Sequence, residues 1–268
     1  SPYCESKRIG KDSRMIYYRG DHNSNIRSLY ENKPKFGILN DYSTTFEELI
    51  NKINIRNLEW ENLVENKGFK LDDFAKDTPS ILDSSWKPVK ITSHGTVEYR
   101  GSDMNSFSKI LGISYAMKYA SRHIEKSTVE VIPCEEGNMD YFKEEDGKLF
   151  VPIFEKVKEL EKASALKGFE NKEVYDYTKK FIGYIKDLIP KEERIILKPF
   201  LDSLEEKRTT SDEIISFAKK KQKDDDKIES DTAQELALMF YNNMYKDILK
   251  MKKLGESLYS NTLFTQFI

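Results

Sequence analysis

The stretch that decides the fold is Ser93-His94-Gly95-Thr96-Val97-Glu98-Tyr99-Arg100-Gly101-Ser102-Asp103. Residues 90–100 have the alternation and the β-branching of a strand. Asp103 can cap a helix over about residues 104–125, and this helix carries apolar or small residues nearly all round, which is typical of a buried helix. A surface strand has no need to lead directly into a buried helix. The pattern therefore favours an α+β fold in which this strand serves a function.

The predicted strand has two different faces, because alternate side chains of a strand point the same way. Thr96, Glu98 and Arg100 share one face, and we expect Val97 and Tyr99 to pack the other face against a helix layer. Residues two apart on a strand lie about 7 Å from each other. Glu98 can then hold a divalent cation while Arg100 holds a carboxylate or phosphate. The alternative is a solvated sheet face with cross-strand ion pairs.

The rest of the chain has a loop-rich beginning and a helical end. Residues 1–42 are rich in Gly, Asn, Ser and Tyr and are expected to form loops with short extended pieces. A helix is predicted to begin in 43–53, after the capping residues Ser43-Thr44-Thr45. A short strand is predicted over 128–133. From residue 152 onward the periodicity predicts helices over 152–166, 170–188, 191–207, 211–221 and 229–254.

The last of these helices carries one broad apolar face, which we expect to face the core. Its members are Ala233, Leu236, Ala237, Phe240, Tyr241, Met244, Ile248 and Leu249.

Composition excludes several classes of function. The 268 residues carry a net charge of -2, so there is no concentrated basic excess for nucleic acid. The sequence has no run of roughly 18 apolar residues, so no membrane span is expected. Cys4 and Cys134 form no CxxC pair, which favours reduced thiols in the cytoplasm. His22, His94 and His123 share no metal-ligand spacing.

Two segments resemble the glutamate–cysteine ligase and carboxylate–amine ligase family. Residues 93–103 look like its "GTxExRxxD" signature. Ser1-Pro2-Tyr3 followed by Gly10-Lys11-Asp12-Ser13-Arg14 resembles its "NSPxxxG…G…SxR" segment. The first segment is also similar, more distantly, to the strand-then-helix segment of glutamine synthetase. The order and approximate spacing of the two segments agree with the family, whereas the helical end carries no specific motif.

This resemblance implies an activity and its site residues. Such enzymes activate the γ-carboxylate of glutamate with ATP as an acyl phosphate, which the amine of cysteine or another acceptor attacks to give γ-glutamylcysteine, a step of glutathione biosynthesis. Magnesium ions screen the phosphates. By match to the motif, Glu98 would be the Mg²⁺ ligand, Arg100 the catalytic and substrate-binding cation, and Arg14 a second substrate contact. Lysine would substitute poorly for such an arginine.

The resemblance also implies how the chain is organised. Residues 1–150 would form part of a glutamine synthetase-like α+β catalytic domain with an antiparallel sheet, and 151–268 a helical region packed on it. The family's amino-terminal part supplies paired acidic metal ligands, and no counterpart is found here. The family's usual aromatic residue after its SPY-like start is Cys4 instead. We therefore expect an incomplete chain that is inactive alone.

Other functions remain open from the sequence. One is a ligase-like domain that has lost catalysis and serves as a binding or assembly module, and another is an unrelated helical adaptor. Retained Glu98, Arg100 and Arg14 favour the ligase, because a purely structural module has no use for three convergent charges. A homo-oligomer is also expected, since a sheet edge left open where the missing half belongs would promote association.

Overall fold

The structure, a computed structural model, describes residues 1–19, 40–74, 82, 89–99, 105–135, 137, 140–224 and 226–259. Helices dominate these residues, and they are accompanied by three small sheets. The expected α+β class is confirmed at this level. None of the described helices is both long and apolar enough to cross a membrane.

The chain forms two compact units, which are described separately. The first consists of Ser1–Ser13 together with Met104–Ile268, and the second of Arg14–Asp103. The boundary expected near residue 150 falls inside the first unit and stays a prediction.

Helices make up most of the first unit. Their bounds are α4 Phe107–Ser127, α5 Phe154–Lys167, α6 Lys172–Leu188, α7 Lys198–Glu205, α8 Thr210–Lys221 and α9 Ser230–Tyr259. The unit's core contains Ala116 of α4, Ile185 of α6, and Ile189 and Leu197 from the connection that follows α6. These side chains are at most 1% exposed. This connection between α6 and α7 therefore closes the core as much as the helices do.

Strands of the first unit form two sheets. β1 (Tyr3–Cys4) pairs antiparallel with β2 (Lys7–Arg8). β5 (Glu130–Pro133), β6 (Glu144–Glu145) and β7 (Lys148–Val151) form a second sheet in the order β5-β7-β6. β7 pairs parallel with β5 and antiparallel with β6. The loop after β5 lies beside α6, because the ring of Phe142 is 5.3 Å from that of Tyr177, between centres.

The second unit contains α1 (Ser13–Arg19), which begins at the last residue of the first unit, and α2, α3, β3 and β4. α2 spans Phe46–Asn66 and α3 spans Leu71–Phe74. The Thr45 hydroxyl accepts a hydrogen bond from the backbone N–H of Glu48 at 3.1 Å, so the predicted helix start is confirmed. The strands are β3 (Val89–Ile91) and β4 (Val97–Tyr99), which pair antiparallel.

Two helix predictions are wrong in detail. α4 begins at Phe107 rather than 104, and its capping position is Ser106, which makes no side-chain capping bond; Asp103 lies outside the described residues. α4 is also only half buried, because its neighbours α6, α7 and α9 leave part of its surface exposed. The predicted helix over 191–207 is instead a short 3₁₀ turn, Arg194–Leu197, followed by α7, with Pro199 in the first turn, where proline is tolerated.

Candidate functional site

The expected active-site strand is a hairpin. The sequence pattern predicted one strand over 90–100, but the chain turns back between Thr92 and Thr96. The backbone N–H of Gly95 donates to the carbonyl of Thr92 at 3.0 Å, and that of Thr92 to the carbonyl of Thr96 at 2.8 Å. Gly95 has φ +75°, a conformation that glycine adopts without strain. A turn of this kind with glycine at its last position is a common three-residue hairpin loop.

The threonine side chains reinforce this turn, and His94 lies in it. Thr92 Oγ1 and Thr96 Oγ1 are 2.7 Å apart. Thr92 Oγ1 also accepts from the backbone N–H of His94 at 3.3 Å. The His94 residue is exposed. His94 therefore lies in an exposed, hydrogen-bonded turn.

Glu98 occupies the middle of β4, directly opposite Lys90 of β3. Directly opposed residues of an antiparallel pair share a face, with Cβ atoms about 5 Å apart. Glu98 is half-buried, whereas both its neighbours on β4 are exposed. The hairpin therefore places a carboxylate and an ammonium group side by side on its more sheltered face.

The opposite face of β4 corrects an expectation. Val97 is 68% exposed and Tyr99 is 46% exposed, so the prediction that they pack against a helix layer is wrong. Val89, which pairs with Tyr99 in the register, is 37% exposed. The hairpin thus presents apolar side chains on its open face and charged ones on its half-buried face. Alternation correctly separated the two faces but did not determine which one is covered.

The structure describes two of the three predicted site residues, Glu98 and Arg14. Glu98 lies on β4, and Arg14 is exposed on α1, in the same compact unit. Arg100 lies outside the described residues. No group of three or more His, Cys, Asp or Glu side chains that could hold a metal ion occurs among the residues the structure describes.

The first motif segment has a structural explanation around Ser13. Ser13 is fully buried. Its hydroxyl donates to the carbonyl of Pro2 at 2.5 Å and accepts from the backbone N–H groups of Ile9 at 2.6 Å and Gly10 at 3.2 Å. One side chain thus closes the loop formed by the first dozen residues. The serine of the motif acts here as an internal bridge.

Lys11 of the same segment binds the helical end of the chain. Its ammonium lies 2.5 Å from Asp212 Oδ1 and 2.6 Å from Glu170 Oε1. Burial alone would lower the pKa of Lys11, but the hydrogen bonds to Asp212 and Glu170 raise it above its ordinary value. Asp212 also accepts from Thr209 in the capping box of α8. The segment before Arg14 is therefore anchored to the first unit.

Two neighbouring clefts occur in the first unit, where the loop after β5 passes over α6. Their volumes are about 550 and 570 Å³, within the range of small-molecule sites. Both are lined by Tyr141 and Lys180. Tyr177 and Lys156 line the first, and Tyr184 the second. The Lys180 ammonium lies 5.7 Å from the centre of the Tyr141 ring, a cation–π distance.

The charge of Lys156, in the first cleft, is compensated by neighbouring carboxylates. Lys156 lies 3.1 Å from both Glu159 and Glu173. Burial lowers the pKa of Lys156, but the hydrogen bonds to these two carboxylates outweigh it and raise the pKa. Burial raises the pKa of Tyr177, so its hydroxyl stays protonated at neutral pH. The first cleft therefore combines tyrosine side chains with a lysine whose charge two carboxylates compensate.

Phe142, which lines the second cleft, has an uncommon backbone conformation. Phe142 has φ +62°, an uncommon conformation for a bulky residue. Its ring lies 5.3 Å from Tyr177 and 6.1 Å from Tyr184, between centres. The Tyr184 hydroxyl is buried without a hydrogen-bond partner in the described part of the chain, and burial together with Glu144 raises its pKa to about 12. His123 Nε2 lies 2.7 Å from Glu144 Oε2, so α4 and β6 meet beside this ring.

Sequence reasoning missed several of these residues. Lys90 follows from the hairpin register, and the signal for it was the glycine-containing loop at 93–95 between two short β-prone runs. A second signal lies along α6, where the aromatic residues Tyr177, Phe181 and Tyr184 recur at i, i+4 and i+7, the spacing of one helix face.

Comparison with models of known protein families, with characterised proteins and with solved structures finds no match for this chain.

Proposed function

We propose that this chain is the carboxyl-terminal part of an ATP-dependent carboxylate–amine ligase that joins glutamate to cysteine through an acyl phosphate. The single observation that supports it most is the position of Glu98. The motif residue lies on the half-buried face of the β3–β4 hairpin, two residues before Arg100. The type of reaction is inferred from the sequence resemblance. The hairpin face that carries Glu98 is the surface on which this carboxylate would bind its ligand.

Each residue has a role in this proposal. Glu98 binds Mg²⁺, and Arg100 binds the transferred phosphate or the substrate carboxylate, with Arg14 as a further anion contact. Lys90, opposite Glu98, is a natural phosphate contact for the same nucleotide, because lysine binds phosphate as a point charge. Mg²⁺ screens the phosphate charge when it is bound.

The fit of Mg²⁺ and ATP to these residues is partial but chemically consistent. Mg²⁺ keeps several waters and is usually bound by one or two carboxylates plus substrate phosphates. Glu98 would supply one carboxylate, which is the smaller of these two numbers. The remaining ligands would come from the nucleotide and from the part of the catalytic domain that the family places before this segment.

The fold part of the proposal is a glutamine synthetase-like sheet. A two-stranded hairpin is marginally stable by itself in water. In the proposed enzyme, β3 and β4 are two strands of a larger antiparallel sheet whose other strands come from the amino-terminal part.

The test is a coupled ADP-release assay with ATP, Mg²⁺, glutamate and a panel of amines. It is run on the native polypeptide that carries this segment and, in parallel, on residues 1–268 alone. We expect turnover with glutamate plus cysteine from the former and little from the latter. Arg100→Ala and Glu98→Gln should each lower kcat/KM at least about 100-fold, as loss of one transition-state contact does.

Matched controls separate chemistry from folding. Glu65→Gln changes an exposed carboxylate of α2, and Arg122→Ala an exposed guanidinium of α4. Both should leave kcat/KM within about twofold, since exposed substitutions away from special features have small effects. Absence of ATP turnover with every amine, in a polypeptide that is folded by circular dichroism, would refute the ligase proposal.

A second candidate is a non-catalytic binding or assembly module with the same fold. The exposed apolar face formed by Val89, Val97 and Tyr99 favours it, because contiguous exposed apolar residues often mark an interaction surface. Titration calorimetry of the native polypeptide with Mg-ATP discriminates between the ligase and the binding module. Saturable binding that is weakened by Glu98→Gln but not by Val97→Ser supports the ligase. Absence of binding, with normal folding, supports the module.

A further inference from the structure

Residues 1–13 form a strap that contacts the ends of several helices of the first unit. The backbone N–H groups of Lys11 and Asp12 donate to carbonyls in the last turn of α5, at 3.3 and 2.8 Å. The Lys11 ammonium lies 2.5 Å from the carboxylate of Asp212, in the first turn of α8. The strap therefore joins the place where α5 ends to the place where α8 begins.

The β1–β2 hairpin of the strap pairs with the connection between α8 and α9, which is described at 222–224 and 226–229. The backbone N–H of Arg8 donates to the carbonyl of Asp226 at 2.7 Å, and that of Ile228 to the carbonyl of Ser6 at 2.9 Å. These bonds flank an antiparallel β-bridge. The Arg8 guanidinium also lies 3.1 Å from the Asp226 carboxylate. The connection thus adds a short extended piece to the hairpin.

One buried side chain shapes this connection. Gln222, which follows the last residue of α8, is 9% exposed. Its amide nitrogen donates to the carbonyls of Asp224 and Lys227, and its amide oxygen accepts from the backbone N–H of Glu229 at 3.0 Å. The backbone that pairs with the strap therefore depends on Gln222.

The turn of the hairpin is strained. Glu5 has φ +48° and Ser6 has φ +64°, and they form the two-residue loop between the paired residues Cys4 and Lys7. Two positive φ values define a type I′ turn, which strongly favours Asn-Gly. Backbone strain of this kind persists only where the surrounding structure holds it. The bond from Ile228 to the Ser6 carbonyl is such a support.

We propose that the strap and the α8–α9 connection form a latch, a single cooperative unit that opens and closes while the core of the first unit stays folded. Within the strap, the Ser13 hydroxyl bonds to the backbone at Pro2, Ile9 and Gly10, so the hairpin and the Lys11 end move together. The core residues come from α4, α6 and the connection after α6. Proteins open locally in contiguous cooperative units of this size.

The test is amide hydrogen exchange of the full chain, measured by NMR at single residues. Lys11→Met removes the ammonium that joins Asp212 to Glu170. The latch predicts about tenfold faster exchange at the amide of Ile228, because the loss of a charged hydrogen bond is transmitted through the strap. The amide of Ile189, which donates to the carbonyl of Ile185 in the core, should change by less than about twofold.

The reciprocal experiment starts from the connection. Gln222→Ala should make the amide of Asp12, which bonds to α5, exchange at least about fivefold faster, since coupling within one cooperative unit works in both directions. The double substitution Glu5→Asn with Ser6→Gly should relieve the turn. It should slow exchange at both Asp12 and Ile228 about fivefold, because Asn-Gly adopts the type I′ turn without strain.

A matched control and the refuting results complete the test. Lys186→Met replaces an exposed lysine about 21 Å along α6 from its first residue, at 1.5 Å per residue, and should leave all latch amides unchanged. Circular dichroism checks that each variant is folded. Lys11→Met that accelerates Asp12 but leaves Ile228 unchanged overturns the proposal. Acceleration of Ile228 and Ile189 by the same factor also overturns it, because only global unfolding would then have been promoted.

Discussion

Gly112 of α4 lies close to α7 and to the turn before it, and this contact permits a sharp stability test. A Cβ added at Gly112 would lie 2.7 Å from Cε2 and 2.9 Å from Cδ2 of Phe200, and 3.2 Å from the carbonyl oxygen of Ile196. Carbon atoms in contact prefer about 3.5–4.0 Å. The ring can shift, but the backbone carbonyl belongs to a turn next to the buried core residue Leu197. Gly112→Ala therefore overpacks this contact.

The magnitude follows from two opposing effects. Overpacking a well-packed contact costs about 1–3 kcal/mol, whereas alanine is better than glycine in a helix by about 1 kcal/mol. We expect Gly112→Ala to lower the free energy of unfolding by about 1 kcal/mol after both effects. Gly183 of α6 is the matched control, because a Cβ there has no atom within 4 Å. Gly183→Ala should raise the free energy of unfolding by about 0.5–1 kcal/mol.

The assay is urea denaturation followed by circular dichroism at 222 nm, with m-values compared to check that both variants unfold as the wild type does. The free energies of unfolding of the two alanine variants should lie on opposite sides of the wild-type value, about 2 kcal/mol apart. Phe200→Leu in the Gly112→Ala background should recover about 1 kcal/mol of coupling, because it removes the clashing ring atoms. Equal stabilisation by Gly112→Ala and Gly183→Ala would refute the close packing of α4 on this connection.

Two further predictions concern hydrogen bonding and pH. Ser13→Ala should lower the free energy of unfolding by about 2–4 kcal/mol in urea denaturation, because buried backbone groups lose their partner; Ser114→Ala, which removes an exposed helical hydroxyl, should change it by less than about 0.5 kcal/mol, and equal effects would contradict the bridging role. Hydrogen bonds from Lys52 and then from Thr44 lower the pKa of Glu48 from 4.5 to about 2. Because the pKa of Glu48 is lower in the folded than in the unfolded chain, its ionised carboxylate stabilises the folded state fully above about pH 4.5. This stabilisation is lost as the pH falls toward 2. An NMR titration should place the Glu48 carboxyl near 2 and closer to 4.5 in Lys52→Met, and a wild-type value near 4.5 would contradict the contact.

Much of the helical structure was predictable from local pattern. The expected ranges 170–188, 211–221 and 229–254 correspond to α6, α8 and α9. Helical periodicity and capping act within a few residues, so sequence records them directly. The strand expected over 128–133 corresponds to β5 for the same reason.

Predictions failed where the decisive contact was distant or where a turn was overlooked. Residues 90–100 were expected to form one strand, but the turn stabilised by Thr92 and Thr96 divides it. Even-numbered residues share one face both before and after this turn. The two-residue period is therefore unbroken, and it cannot reveal the turn. Lys90 becomes a candidate site residue only through the hairpin register, which places it opposite Glu98.

The sequence by itself determined most of the helical segments, where α2 begins, and which side chains of β4 lie together, because these depend on neighbours along the chain. Only the tertiary structure decided which of these faces is covered. Val97 and Tyr99 of β4 are apolar and yet exposed. Tyr241 and Ile248 of α9 are exposed as well, so the expectation that they face the core is wrong. Periodicity defines a face, but burial depends on whether another element packs against it, and that element is far away in sequence.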